Sequence, residues 1–126
     1  MWVALIASAL AVLYVAVAVA HRASYSTTVV EDNASTSPRP DFKVVGHLES
    51  PKDACIRNRT VKFLARTEGG TTVLLDKDRT NDRGKWELIG DITNTHDERI
   101  KATRKRLPKH HHHRRVCRAT SIPLLL

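Results

Sequence analysis

Between Phe42 and Ile122 the chain is cut by glycine, proline and asparagine turns into short stretches in which apolar and polar residues alternate. Thr60 to Thr67 is the clearest case. Val61, Phe63 and Ala65 fall on one face and Lys62, Leu64 and Arg66 on the other, the period of two that belongs to a half-buried strand. Beyond the first twenty residues no stretch carries the apolar stripe of an amphipathic helix. Phe42, Val44 and Val45, followed by Gly46 and Leu48, predict a first strand with a bulge or close approach at the glycine. Gly69-Gly70 marks a hairpin leading into Thr71 to Leu75, and Asn81-Asp82-Arg83-Gly84 a second turn before Lys85 to Ile89. Gly90 to Asp97 reads as a loop, Arg99 to Arg104 as a strand with Ile100 and Ala102 inward, and Leu107-Pro108 as its interruption. Val116 to Ile122 reads as one closing strand.

These signals predict an all-β fold: a single antiparallel β-sandwich of six or seven strands over residues 42–122, with a short tail at 123–126. The expected inter-sheet core is Val61, Phe63, Leu75, Trp86, Leu88 and Ile100. Residues 21–41, rich in Ser, Thr, Asn and Pro, read as a flexible linker, with Ser37-Pro38-Arg39-Pro40 as an extended tether.

Ahead of the linker, Met1 to Ala20 contains no charged side chain and reads as an apolar helix. A run of about twenty residues is long enough to span a bilayer. Ala18-Val19-Ala20, by contrast, matches the small-residue site that signal peptidases cut. Signal peptide and retained anchor therefore both stand. If the segment is retained, Arg22 just after it favours a cytoplasmic body by the positive-inside rule, which suits a small cysteine-paired domain poorly. The expectation is a body outside the cytoplasm, secreted or anchored, touching membrane only through an uncleaved N-terminal segment.

About 80 residues remain for folding, a size that buries only roughly 60% of its unfolded surface and gains from a crosslink. Cys55 and Cys117 are the only two cysteines and bracket most of the predicted fold. In an oxidising compartment they would form a disulfide; the alternative is two separate buried thiols.

The net charge of +8 is local. Nine basic residues and no acid lie from Arg99 to Arg118, whereas the remaining chain holds twelve basic and thirteen acidic residues. Arg104, Lys105, Arg106, Lys109, Arg114 and Arg115 form the candidate anion-binding set. Outside the cytoplasm the partners with suitable chemistry are acidic polysaccharides, wall polymers, lipid headgroups and extracellular DNA. Specific nucleic-acid recognition is not expected, because Trp86 and Phe63 are assigned to the core and leave no stacking platform.

Within the same stretch lies His110-His111-His112-His113. Imidazoles bind Zn, Cu and Ni, and they gain charge in mild acid. In an extended strand at most two of the four share a side, and no Asp or Glu lies between Arg99 and Leu126 to complete a tetrahedral site. A solvated hairpin loop competes with the metal reading, and no cofactor is expected. Asp76, Asp78, Asp82 and Glu87 superficially match a calcium loop, but Asn81 replaces its glycine and Lys77, Arg79, Arg83 and Lys85 neutralise it. A charged hairpin explains that stretch better. Asn33-Ala34-Ser35 and Asn58-Arg59-Thr60 are glycosylation tripeptides to which no role is assigned.

Several landmarks occur in a familiar order: Val45-Gly46, a Ser-Pro and Cys55, then Arg59-Thr60-Val61-Lys62-Phe63, the turn Thr80-Asn81-Asp82-Arg83-Gly84-Lys85-Trp86, and Cys117-Arg118-Ala119-Thr120-Ser121. In this order the chain resembles the transthyretin-like or carboxypeptidase-regulatory-like β-sandwich, a relative in architecture of immunoglobulin-like domains, particularly its small exported bacterial forms. The resemblance implies a seven-stranded, non-catalytic module, appended to other proteins or displayed at a surface. It supplies no functional residue, and the histidine run has no counterpart in it. Catalysis is not expected on other grounds: no G-x-S-x-G elbow, no glycine-rich phosphate loop and no carboxylate pair in an apolar setting occurs. The partner is thus expected to be an unidentified protein or an anionic surface polymer.

Overall fold

The structure, a computed structural model, describes residues 22–36, 41–111 and 113–125. The expected N-terminal helix at Met1–Ala20 lies outside the described residues. Within them the chain is all-β, with strands β1 (Arg22–Tyr25), β2 (Thr28–Thr36), β3 (Asp41–Glu49), β4 (Thr60–Thr67), β5 (Thr72–Arg79), β6 (Lys85–Asp91), β7 (Thr95–Ala102), β8 (Lys105–His110), β9 (His113–Cys117) and β10 (Thr120–Pro123). A single 3-10 turn, Asp53–Cys55, follows β3.

The strands form three sheets rather than two. The first runs β2-β3-β6 and the second β10-β7-β4-β5, each antiparallel throughout. They meet across one apolar core, to which β2 and β3 bring Val29, Phe42, Val44 and Leu48, β6 brings Trp86 and Leu88, β4 brings Val61 and Phe63, and β7 brings Ile100 and Ala102. Five of the six expected core residues are buried in it, and Leu75 packs against it half-buried. The third sheet, β1-β9-β8, has its own small apolar cluster of Cys55, Leu107 and Cys117.

Alternation places the core. Phe42, Val44, Gly46 and Leu48 of β3 point inward while Lys43, Val45 and His47 point out. Gly46 sits opposite Trp86, whose indole lies across it, and a Cβ there would collide with that ring and with the Val30 carbonyl. The close approach expected at this glycine is therefore the seat of the tryptophan. Trp86 Nε1 has no hydrogen-bond partner among the described residues, so packing alone holds the ring.

Four sequence expectations change. The segment read as a linker, 21–41, carries β1 and β2, because Val29 docks into the core at 4% exposure and β2 pairs with β3 along its length. Of the tail, Pro123 belongs to β10, and Leu124 is buried with its N–H donating to the Glu98 carbonyl at 2.8 Å. The single closing strand breaks at Arg118-Ala119 into β9 and β10, which belong to different sheets. Finally, Pro108 does not interrupt β8, since β8 is an edge strand where a missing N–H costs no ladder bond, and a register shift between Leu107 and His110 absorbs the irregularity. The strand count rises accordingly from six or seven to ten among the described residues, and β1 runs parallel to β9.

Two of the carboxylates weighed as a calcium loop, Asp76 and Asp78, close a seam between the two core sheets. Asp78 accepts the Glu87 N–H and Asp76 the Ile89 N–H, each at 2.9 Å, so side chains of β5 satisfy the open edge of β6. Asn81 accepts from the N–H groups of Arg83 and Lys85, fixing the turn, and Gly84 completes it at φ +76°.

Replacing Trp86 with alanine should cost about 3–5 kcal/mol, because the ring fills the space left by Gly46 and collapse there is limited. Urea denaturation followed by circular dichroism measures it; a loss below about 1 kcal/mol would contradict this packing.

Candidate functional site

The third sheet carries most of the sequence-predicted site residues, and its attachment determines how they are displayed. Cys55, at the end of the 3-10 turn, and Cys117, at the end of β9, bring their sulfurs to bonding distance, 2.00 Å, across a sequence separation of 62. Their Cα atoms stand 5.5 Å apart, within the ordinary range for a disulfide. Closing a loop of this size contributes on the order of 4 kcal/mol in the chain-entropy account.

Arg59 ties the same junction. It continues the inward face of β4, two residues before Val61, yet carries a guanidinium into the interior at 1% exposure. Nε donates to the Thr103 carbonyl at 2.8 Å, Nη1 to the Cys55 carbonyl at 3.0 Å and to the Thr27 hydroxyl, and Nη2 to the Arg118 carbonyl at 2.6 Å. Four separate segments thus converge on one cation: the β1–β2 link, the 3-10 turn, the β7–β8 link and the β9–β10 link. No carboxylate pairs with it among the described residues. Burial pushes its pKa below the ordinary arginine value, but a guanidinium stays charged, and charge-assisted bonds to carbonyls offset its lost hydration.

On this frame the basic residues separate into two groups. Lys105 faces inward, in register with Cys117, and its Nζ donates to the carbonyls of Ala54 and Arg57, both at 2.9 Å. Its pKa is lowered by burial first and then by the nearby positive charges of Arg59, Arg57 and Arg79. Arg115 is also engaged, Nε and Nη2 both donating to the Pro108 carbonyl across the β8–β9 hairpin. Lys105 therefore holds the sheet to the 3-10 turn, and Arg115 braces the hairpin.

Arg104, Arg106, Lys109 and Arg114 behave differently. Each is exposed, and none has a carboxylate within ion-pair distance among the described residues. Arg106 stands opposite Val116, and Arg114 lies two residues before Val116, so all three share the outer face of the sheet. Two depressions open there, of about 320 and 270 Å³. Arg104, Arg114 and Val116 line both, which makes them one continuous surface; Arg106, Leu107, Lys109 and the hairpin-bracing Arg115 also border the larger, and Ala23 and Ser24 of β1 the smaller. Guanidinium groups so placed can form paired N–H bonds to phosphate or sulfate oxygens.

His110, His111 and His113 lie at the tip of the β8–β9 hairpin. His110 and His113 are register partners, His111 takes the left-handed backbone at φ 49°, and His112 lies outside the described residues. Among the described residues no three His, Cys, Asp or Glu side chains gather where they could share a metal ion.

Two residues of structural consequence escape the sequence reading. Arg59 was legible in principle, since it falls in phase with Val61, Phe63 and Ala65. His47 is the other. On the outer face of β3 its Nδ1 meets Asp32 at 2.8 Å and its Nε2 meets Glu49 at 3.0 Å, with Asp32 brought within reach by the bulge in β2. Both ring nitrogens can donate only in the imidazolium, so the geometry selects the charged form. The hydrogen bonds to Asp32 and then Glu49 raise its pKa above the ordinary value. Stability from this clamp is complete below the unfolded histidine pKa and is lost as pH rises through the higher folded value. The protein should thus be more stable near pH 6 than near pH 8 by an amount below about 1 kcal/mol, as for solvent-screened pairs. Comparing urea midpoints of the wild type and His47→Gln across that range isolates the effect; an unchanged pH profile in the variant would refute it.

Compared with known proteins, the chain matches no family model, no curated protein and no solved structure.

Proposed function

We propose that this chain is an exported, non-catalytic β-sandwich module of transthyretin-like type that binds an anionic partner through the outer face of its third sheet. One observation carries the reading. Arg104, Arg106, Lys109 and Arg114 crowd a single small face with no acid partner among the described residues, and no side-chain hydrogen bond of the fold engages them there. Like charges so gathered oppose folding, and such violations of local consistency concentrate where a surface has a task. The basic residues that the fold does use, Arg59, Lys105 and Arg115, are tied to carbonyls instead. A surface module displaying arginine forks to phosphate or sulfate groups follows from that division.

Export is supported by the paired cysteines, which suit an oxidising compartment, together with the apolar run at Met1–Ala20. The transthyretin-like reading is supported by the landmark order in the sequence and by two antiparallel sheets facing across one core. The third sheet is an addition to that plan.

Heparin chromatography tests the binding face. The wild type should be retained beyond about 0.15 M salt, where weak surface electrostatics is largely screened. Arg104→Gln with Arg114→Gln should elute clearly earlier, whereas Arg99→Gln, whose side chain lies beside Asp97 and Ser121 away from this face, should change little. Elution of the wild type in low salt, or equal shifts for both variants, would count against a dedicated face.

A further inference from the structure

The strand that follows the N-terminal apolar run in sequence pairs with the basic sheet. β1 pairs in parallel with β9, and its first residue, Arg22, stands opposite Arg114. Arg22 lies only two residues beyond Ala20, where the uncharged run ends. At most about 7 Å of chain joins the end of that run to Arg22, and one inter-strand step of about 5 Å separates β1 from β9. β8 ends at His110 and β9 begins at His113, so their hairpin, with Lys109 beside it, occupies the same end of the sheet. Lys109 and Arg114 therefore stand at the end of the sheet where β1 begins, and Arg106 and Arg104 follow along the same outer face toward the other end, where Lys105 pairs with Cys117.

Resting on the anion-binding reading of this face, we infer that its partner is the anionic headgroup layer of the membrane that holds the chain's own apolar run. The protein is then held twice, by Met1–Ala20 in the hydrocarbon and by Arg104, Arg106, Lys109 and Arg114 among lipid phosphates. Four cations on an open surface bind a free ligand weakly. A tether of two residues changes that, because it keeps Lys109 and Arg114, at the near end of the face, at high effective concentration over the headgroups and lets Arg106 and Arg104 follow along the same face. A soluble polyanion would gain nothing from the parallel pairing of β1 with β9, whereas a headgroup layer gains a fixed orientation of the sheet.

The full chain, reconstituted into nanodiscs of phosphatidylcholine alone or mixed with phosphatidylglycerol, provides the test. Tryptic cleavage after Arg104 is followed by mass spectrometry, with cleavage after Arg83, in the turn before β6, as the internal reference. At about 0.15 M salt, phosphatidylglycerol should slow cleavage at Arg104 by at least about tenfold and leave Arg83 unchanged. Lys109→Gln with Arg114→Gln, which keeps both cleavage sites, should abolish most of that protection. Equal cleavage in the two lipid mixtures would overturn the inference, as would a mature protein, isolated from its host, that begins near His21. If heparin binds the face while phosphatidylglycerol gives no protection, a soluble polyanion is the partner and the membrane reading falls alone. If neither binds, the anion-binding reading falls with it.

Discussion

A positive charge buried without a counter-ion would ordinarily expel itself or shed its proton, yet Arg59 does neither, because four chain segments turn carbonyl and hydroxyl oxygens toward it. That arrangement explains how a third sheet stays attached to a two-sheet core. The sheet itself buries only Cys55, Leu107 and Cys117, with Tyr25 and Ala54 packed beside them. So small an apolar cluster secures little. The disulfide and the guanidinium meet at the same place: Arg59 bonds the carbonyl of Cys55 and that of Arg118, the residue after Cys117. One constraint limits the unfolded chain and the other fixes the folded junction, so each supports what the other leaves free. Lys105 completes the joint by donating to the carbonyls of Ala54 and Arg57.

This joint divides a basic stretch into structural and displayed charge. Lys105 and Arg115 are drawn into carbonyl bonds, Arg115 at the border of the larger depression, and Arg104, Arg106, Lys109 and Arg114 are left displayed around it. The proposed function depends on that sorting. Charge displayed on a rigid sheet can be oriented toward an anionic surface, whereas the same residues on a free loop would present no fixed face. The disulfide and Arg59 therefore serve the proposed binding surface without touching its partner.

Much of this was legible in the chain. Alternation in 60–67 and around Trp86 marked the core correctly, because a period of two is a direct consequence of strand geometry and survives tertiary context. The turns at Gly69-Gly70 and Asn81–Gly84 were readable for the same local reasons. The misread parts depend on distant partners. Residues 22–36 look like a linker because their pairing is with β3 and β9, and only Val29 signals burial. The break at Arg118-Ala119 is set by the carbonyl of Arg118 turning toward Arg59, a contact across 59 residues that no local pattern encodes. The basic set was identified as a group, but which members are displayed followed only from strand register.

Native-state hydrogen exchange on Arg59→Met tests the account most directly, since methionine fills much of the same space while leaving the carbonyls of Cys55, Thr103 and Arg118 without their donor. Amides of β1, β8 and β9 should lose about 3 kcal/mol or more of protection, while those of β3, β4 and β7 keep most of theirs. Uniform loss across all three sheets, or unchanged protection in β8 and β9, would show that the third sheet does not depend on this buried cation.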